Sequence, residues 1–165
     1  MADSAATSAQ ADFREAMAHF ASGVTVVTTV DADGRPWGFT ASAFSSLSLE
    51  PPLLLVCLDK GADSFVAFDA AEVMNVSILA SDQLDVAMRF ATRGVDKFEG
   101  TSTVAAETSG VPLIEGALSQ VECVIHDRLD GGDHVILVGR VTLARTSEAA
   151  PLLHYDRRFG QFIPG

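Results

Sequence analysis

A mainly β fold, with six antiparallel strands closing into a barrel and short helices at its periphery, is predicted from three features of this 165-residue sequence. Residues 24–30 are Val or Thr at every position, and such a β-branched run favours a strand. Residues 53–58 are apolar throughout, as in a strand buried on both faces. Residues 119–128 alternate, with Val121, Cys123 and Ile125 on one side and Gln120, Glu122, Val124 and His126 on the other. There is no regular alternation of strand and helix to signal a doubly wound parallel sheet. Closing a barrel also removes the open edges that so many strands would otherwise present.

In chain order, residues 1–11 are small and polar and are expected to form a disordered tail, leaving 12–165 as a single domain. Residues 12–20 read as a short helix with Phe13, Met17 and Phe20 on one face. The 24–30 strand ends at Asp33-Gly34, a tight turn, and a second strand returns over 37–44. A loop with Ser45, Ser46 and Ser48 follows, then Pro51-Pro52 opens the 53–58 strand. One or two helical turns over 63–68 and a strand over 73–79 come next. A helix capped by Ser81 or Asp82 runs to about 91, with Leu84, Ala87, Met88 and Ala91 inward. Residues 95–112 are loop-rich, and a connection of that length is usually functional. Asp130-Gly131-Gly132-Asp133 turns the 119–128 strand into a long strand over 134–145, and 147–155 reads as a short helix.

The chain carries a formal charge of −11, from 11 Lys plus Arg against 22 Asp plus Glu. That balance disfavours nucleic acid and anionic membranes, which call for a basic footprint. No apolar run is long enough to span a bilayer, and the first residues lack the basic and apolar regions of a signal peptide. The two cysteines, Cys57 and Cys123, sit in strand-like runs and read as reduced core thiols, which places the protein in the cytoplasm. A phosphate-bearing ligand would need local cations: Lys60, the series Arg89, Arg93 and Lys97, or Arg157-Arg158.

Neither a Rossmann glycine fingerprint nor a P-loop is present, nor a nucleophile elbow. Cys123 and His126 fall on opposite faces of a strand, and His126 and His134 flank a hairpin without a third ligand, so no metal site is expected. The informative stretch is Gly38-Phe39-Thr40-Ala41-Ser42-Ala43-Phe44. As a strand it puts Gly38, Thr40 and Ser42 on one face and Phe39, Ala41 and Ala43 on the other. A face that small and polar leaves room for something flat and offers it hydrogen bonds.

Five segments, in this order, resemble the short-chain flavin reductases, the reductase components of two-component flavin-dependent monooxygenases. They are Phe20-Ala21-Ser22-Gly23-Val24-Thr25-Val26-Val27-Thr28, the 38–44 stretch with Ser46-Leu47-Ser48, Pro51 through Leu58, Gly132-Asp133-His134, and His154-Tyr155-Asp156-Arg157-Arg158-Phe159-Gly160. The resemblance implies a split β-barrel of Greek-key type and a homodimer. It implies FMN or FAD as flavin, NADH or NADPH as reductant, and release of reduced flavin to a partner oxygenase. The expected reaction is direct hydride transfer from nicotinamide to flavin. Three alternatives stay open: a flavoprotein that keeps its flavin and reduces another acceptor, a non-catalytic flavin-binding module, and an oxidase of the pyridoxamine-phosphate type.

The same resemblance assigns roles. Gly38, Thr40, Ala41 and Ser42 run along the flavin ring. Ser45, Ser46 and Ser48 are candidates for a phosphate, with ordinary turn chemistry equally open. Cys57, Leu58, Asp59 and Lys60 form a second flavin segment, with Lys60 and Ser64 toward the phosphate and Cys57 as packing. Phe90 closes over the ring edge or packs in the core. Arg89, Arg93 and Lys97 form a basic stripe that either touches phosphate or is solvated. His134 is the catalytic candidate, beside the nicotinamide, where an imidazole orients the carboxamide or steadies charge. Tyr155, Asp156, Arg157 and Arg158 match a segment for the nicotinamide dinucleotide.

Overall fold

The computed structural model describes residues 2–163 and 165; Met1 and Pro164 lie outside the described residues. The chain opens with α1 (Ala2–Ala18), so nearly all of the stretch expected as a disordered tail is helical. Alanines at 2, 5, 6, 9 and 11 supply the helix propensity. Phe13, Met17 and Phe20 stay exposed, at 63%, 52% and 75%. The helix is tied to the body at its far end: the Asp156 N–H donates to the Ala18 carbonyl and Arg157 pairs with Glu15 at 2.6 Å.

The strands that follow are β1 (Ser22–Gly23), β2 (Thr25–Val30), β3 (Pro36–Ala41), β4 (Phe44–Ser48) and β5 (Leu53–Asp59). After α2 (Phe65–Ala70) come β6 (Val73–Ile78) and α3 (Leu84–Ala91). The remainder is β7 (Thr103–Ala105), β8 (Pro112–Ile114), β9 (Ser119–Gly131), β10 (His134–Thr146), β11 (Leu152–Tyr155) and β12 (Arg158–Gln161). Among the described residues the main sheet has seven strands, in the order β3-β2-β6-β9-β10-β5-β4, each pair antiparallel. The count exceeds the expected six because the strand expected over 37–44 ends at Ala41 and the loop expected after it forms a further strand, β4. Ser45, Ser46 and Ser48, expected in a loop, lie on β4 and pair with β5.

That break shapes the molecule. β3 and β4 are consecutive in the chain yet occupy opposite edges of the sheet. Laid flat at ~4.8 Å per strand, the two edges would stand roughly 29 Å apart. The link between them is only Ser42 and Ala43, which reach about 11 Å at most. The sheet must therefore curl until its edges nearly meet, although β3 and β4 are not hydrogen-bonded to each other among the described residues. Two register shifts between β9 and β10, at Val138/Gly139 and Val141/Leu143, supply bends. At one of them Gly139 leaves room for the core, because a Cβ there would stand 2.6 Å from Met74 Cε and 3.0 Å from Cys123 Cβ.

One core lies inside the curl, with Val27, Phe39, Val56, Leu58, Met74, Val76, Cys123 and Leu137 among its members. A second lies between the sheet and α3, where Val24, Val26 and Leu79 meet Ala87, Phe90 and Ile114. β2 serves both, which is why its whole length is apolar or threonine. The buried hydroxyls of Thr25, Thr28 and Thr29 are satisfied by the carbonyls of Ala41, Pro112 and Val73.

The inward face of α3 differs from expectation: Leu84 and Met88 are 40% and 50% exposed, while Phe90 is buried. Phe90 fills the space that Gly38 leaves, since a Cβ on Gly38 would lie 2.7 Å from Phe90 Cε1. The residue at the head of α3 is Gln83, and neither Ser81 nor Asp82 caps it. The helix expected over 147–155 does not form, because Pro151 denies a helix its hydrogen bond, and Leu152–Tyr155 are instead β11. β11 pairs with β1 and β12 in a small separate sheet. The β11–β12 hairpin turns on Asp156 and Arg157, at φ 48° and 59°, as a two-residue turn with both central residues left-handed requires. His126 and His134 do not face one another, since His134 lies opposite Gly131.

Candidate functional site

The seam between the two sheet edges opens into a cleft of about 280 Å³. Five parts of the chain line it, one of them Ala62 and Asp63 after β5. Thr40, Ala41, Ser42 and Ala43 come from the end of β3 and the link, and Cys57, Leu58 and Asp59 from the end of β5. His134 comes from the start of β10, and Phe90, Ala91, Arg93 and Lys97 from α3 and the segment after it. The register explains the meeting of β5 and β10: Asp59 lies directly opposite His134, and the Lys60 N–H donates to the Asp133 carbonyl.

Each charged group in the cleft is held. Arg93 donates to Asp59 Oδ2 at 2.9 Å, and the Gly61 N–H to Asp59 Oδ1 at 2.7 Å. Lys97 Nζ donates to the Gly38 carbonyl at 3.0 Å, off the outer edge of β3. Burial pushes the Lys97 ammonium below its ordinary pKa, partly offset by the charge of Asp63. His134 Nδ1 bonds Asp133 Oδ1 at 2.7 Å. A carboxylate only accepts, so Nδ1 carries the proton and Nε2 is left for other partners. The hydrogen bond and the charge of His134 hold the Asp133 carboxyl below its usual range. Burial raises the Cys57 thiol, which keeps it protonated and unreactive at neutral pH.

Several expected site residues are placed elsewhere. The face of Gly38 and Thr40 is not open: α3 covers it, with Phe90 against Gly38 and Thr40 Oγ1 donating to the Ala87 carbonyl at 2.6 Å. Gly38 is small for packing, and Phe90 is a core residue whose ring edges the cleft. Ser45, Ser46 and Ser48 do not line the cleft, and Ser45 Oγ donates to the Ser46 carbonyl. Lys60 points away, bound to Asp130 and to the Gly132 carbonyl. Ser64 is buried outside the lining, with no side-chain bond capping α2. Tyr155, Asp156, Arg157 and Arg158 form the β11–β12 hairpin against α1 and do not reach the cleft within one chain.

Of the basic stripe, Arg93 and Lys97 reach the cleft while Arg89 turns aside to the Asp96 carbonyl at 3.2 Å. α3 ends at Ala91, so the four-residue spacing is not what aligns them. Asp63 also lines the cleft, accepting from the Gly94 N–H at 2.8 Å. Scarcity already singles out Arg93 and Lys97 in the sequence, since a chain at −11 has few cations to offer a phosphate.

A flat heterocycle with a phosphate fits what is present. The outer edge of β3 offers peptide groups with no strand partner among the described residues, the cleft is open, and Arg93 and Lys97 line it beside the carboxylates of Asp59 and Asp63. The fold and cleft thus define a β protein with a slot for a flat, phosphate-bearing cofactor. Residues 17–162 match the flavin reductase like domain, and the chain belongs to that family. It is 46% identical over 151 residues to an actinorhodin polyketide dimerase of Streptomyces coelicolor, covering 91% of this chain and 85% of that one. It is 40% identical over 155 residues to the reductase component of a 4-nitrophenol 4-monooxygenase/4-nitrocatechol 2-monooxygenase of Rhodococcus opacus, covering 94% and 82%. Among solved structures, an NADH:FAD oxidoreductase of Streptomyces globisporus, in complex with NAD and FAD fragments, superposes with a TM-score of 0.88 at 38% identity, covering 94% and 93% of the two chains.

Proposed function

We infer that this chain is an NAD(P)H:flavin oxidoreductase that takes FMN or FAD as flavin and supplies it in reduced form to a separate oxygenase. The observation that carries the reading is the seam cleft, where an open strand edge, two cations and a clamped histidine converge in a chain of this family. The redox chemistry is that of the bound cofactors, a hydride passing from reduced nicotinamide to flavin. The chain's own task is positioning, the main source of rate when no proton need move with the hydride. The β3 edge from Thr40 to Ser42 binds the rim of a flavin ring. Arg93 and Lys97 hold its phosphate, and the wall from Cys57 to Asp59 excludes water. His134, fixed by Asp133, presents Nε2 to the nicotinamide carboxamide.

The curled sheet with its open seam is read as a split barrel. We propose a homodimer, supported by the uncovered apolar residues Phe13 and Met17 on α1 and Phe20 just after it. These residues adjoin the Tyr155–Arg158 hairpin, so a second copy would give the hairpin a neighbour. Among the described residues no helix is long and apolar enough to cross a membrane. Action in the cytoplasm follows from the need for NAD(P)H and agrees with two unpaired thiols.

The test is consumption of NADH or NADPH with FMN, with FAD and with neither. Turnover that needs added flavin is expected, and no consumption with any flavin would overturn the reading. A protein that purifies yellow and turns over unaided would shift it to a retained flavin.

A further inference from the structure

The Arg93 guanidinium at the seam cleft is already engaged. Its Nη2 donates to Asp59 Oδ2 at 2.9 Å, and the two side chains are 64% and 46% exposed. The other oxygen of the same carboxylate, Oδ1, accepts the Gly61 N–H at 2.7 Å. That bond fixes the carboxylate at the end of β5, where Asp59 lies opposite His134. Asp59 and Arg93 both line the cleft. Lys97 is engaged as well, on the Gly38 carbonyl at 3.0 Å and with the charge of Asp63 acting on it. A site built for the tightest hold on a phosphate would leave its guanidinium free. A fixed carboxylate competes for the same donors and repels the incoming anion.

We propose that Asp59 sets how readily the flavin leaves, by competing with its phosphate for Arg93. The inference rests on the oxidoreductase reading and deepens it, since a chain that passes reduced flavin to a separate oxygenase must release it at each turnover. The planar guanidinium fork suits a carboxylate and a phosphate alike, so the two anions exchange on one set of donors. An exposed ion pair is weak, and a phosphate of higher charge displaces it. As the phosphate departs, Asp59 is still fixed by Gly61 and closes again on Arg93, so departure leaves no bare charge behind. A flavin without a phosphate meets none of this competition. Asp59 thus sets affinity through Arg93, and is not itself a ligand of the flavin.

Asp59→Asn tests this with little change of shape. The amide oxygen still accepts from Gly61, while the neutral side chain no longer balances the charge of Arg93. Titrated with FMN and followed by flavin fluorescence, the variant should bind about fivefold tighter than wild type, on the scale of an exposed ion pair. FMN should also leave it about fivefold more slowly in stopped-flow displacement. Riboflavin, which lacks the phosphate, should bind both proteins alike, and its binding reports that the variant is folded. With Arg93→Gln already in place, Asp59→Asn should give no gain. An FMN affinity that Asp59→Asn leaves unchanged or weakens would overturn the proposal. So would an equal gain for riboflavin, which would mean a reshaped slot. A gain undiminished by Arg93→Gln would overturn it too, because it would mean plain repulsion of the phosphate and not competition. None of these titrations uses NADH. If the wild-type protein bound FMN but consumed no NADH with any flavin, the oxidoreductase reading alone would fail.

Discussion

The Lys97 ammonium donates to the Gly38 carbonyl at 3.0 Å, across the mouth of the seam cleft. Burial disfavours its charged form, so at neutral pH the ammonium is retained at a cost to folding. A lysine with a depressed pKa carries that penalty below its folded pKa and sheds it above. Lys97→Met should therefore leave thermal stability unchanged or raised, while the KM for flavin rises about tenfold or more from the lost phosphate contact. Melting curves and flavin titrations check the two halves separately.

Ser42 is exposed in the link between β3 and β4 and lines the cleft. Ser42→Phe should fill the slot and abolish flavin binding while the melting temperature stays close to wild type. Unchanged flavin affinity in that variant would rule out the slot as the flavin site.

Asp133 holds His134 through Nδ1. Asp133→Asn replaces a pure acceptor with a group that can also donate, and so loosens the choice of tautomer. The KM for NADH should rise severalfold with the KM for flavin unaltered. His134→Ala should lower kcat/KM for NADH further. An effect of equal size on both substrates would argue for a merely structural role.

Gly38→Ala meets Phe90 Cε1 at 2.7 Å and the Val27 carbonyl at 2.9 Å. The ring has some freedom, but the backbone oxygen has little. A loss of ~1–3 kcal/mol is expected from overpacking. At about 2–4 °C per kcal/mol for a chain of this size, calorimetry will resolve it.

Glu122 is a 2% exposed carboxylate that accepts the N–H groups of Glu107 and Thr108 and the Thr108 hydroxyl. Burial opposes its charge, yet these donors outweigh it and its pKa falls below the ordinary 4.5. A depressed carboxyl contributes stability above its unfolded pKa and loses it as pH falls through the folded value. Urea midpoints should thus decline with acidification below about pH 4.5. Glu122→Gln should flatten that decline and cost about 1–3 kcal/mol at neutral pH, as all three donors lose a charged acceptor and at least one loses its acceptor outright.

Much of the strand content was legible because it is written locally. The β-branched run of β2, the apolar run of β5 and the alternation in β9 each fix a backbone preference within a few residues. What was illegible depends on partners remote in sequence. Lys60 looked available for a phosphate because nothing nearby announces Asp130. Gly38 looked like room for a ligand because Phe90, which occupies that room, lies on another element. The break at Ser42–Ala43 arises only because the sheet edges they join must meet, a condition of the whole sheet. The segment 147–155 has helical composition, and a single proline decides against it. His134 was legible at a mouth of the sheet because a Gly-Gly turn precedes β10, whereas the 57–59 wall was pointed to by the family resemblance and not by any local pattern. Tyr155 through Arg158 carry a strong local pattern, which does not say that the hairpin docks on α1.

The two-residue link has a consequence for solvent access as well as for shape. Among the described residues no ladder of hydrogen bonds joins β3 to β4, so the outer edge of β3 is open, while the link itself is tied to β5 by the Cys57 N–H on the Ala43 carbonyl at 3.0 Å. Amide protons on the outer edge of β3 should then exchange with solvent fast in the empty protein and slowly once a ring lies against them. The rate of that exchange is a clock for ligand entry and departure, readable at single residues even where turnover is too quick to follow.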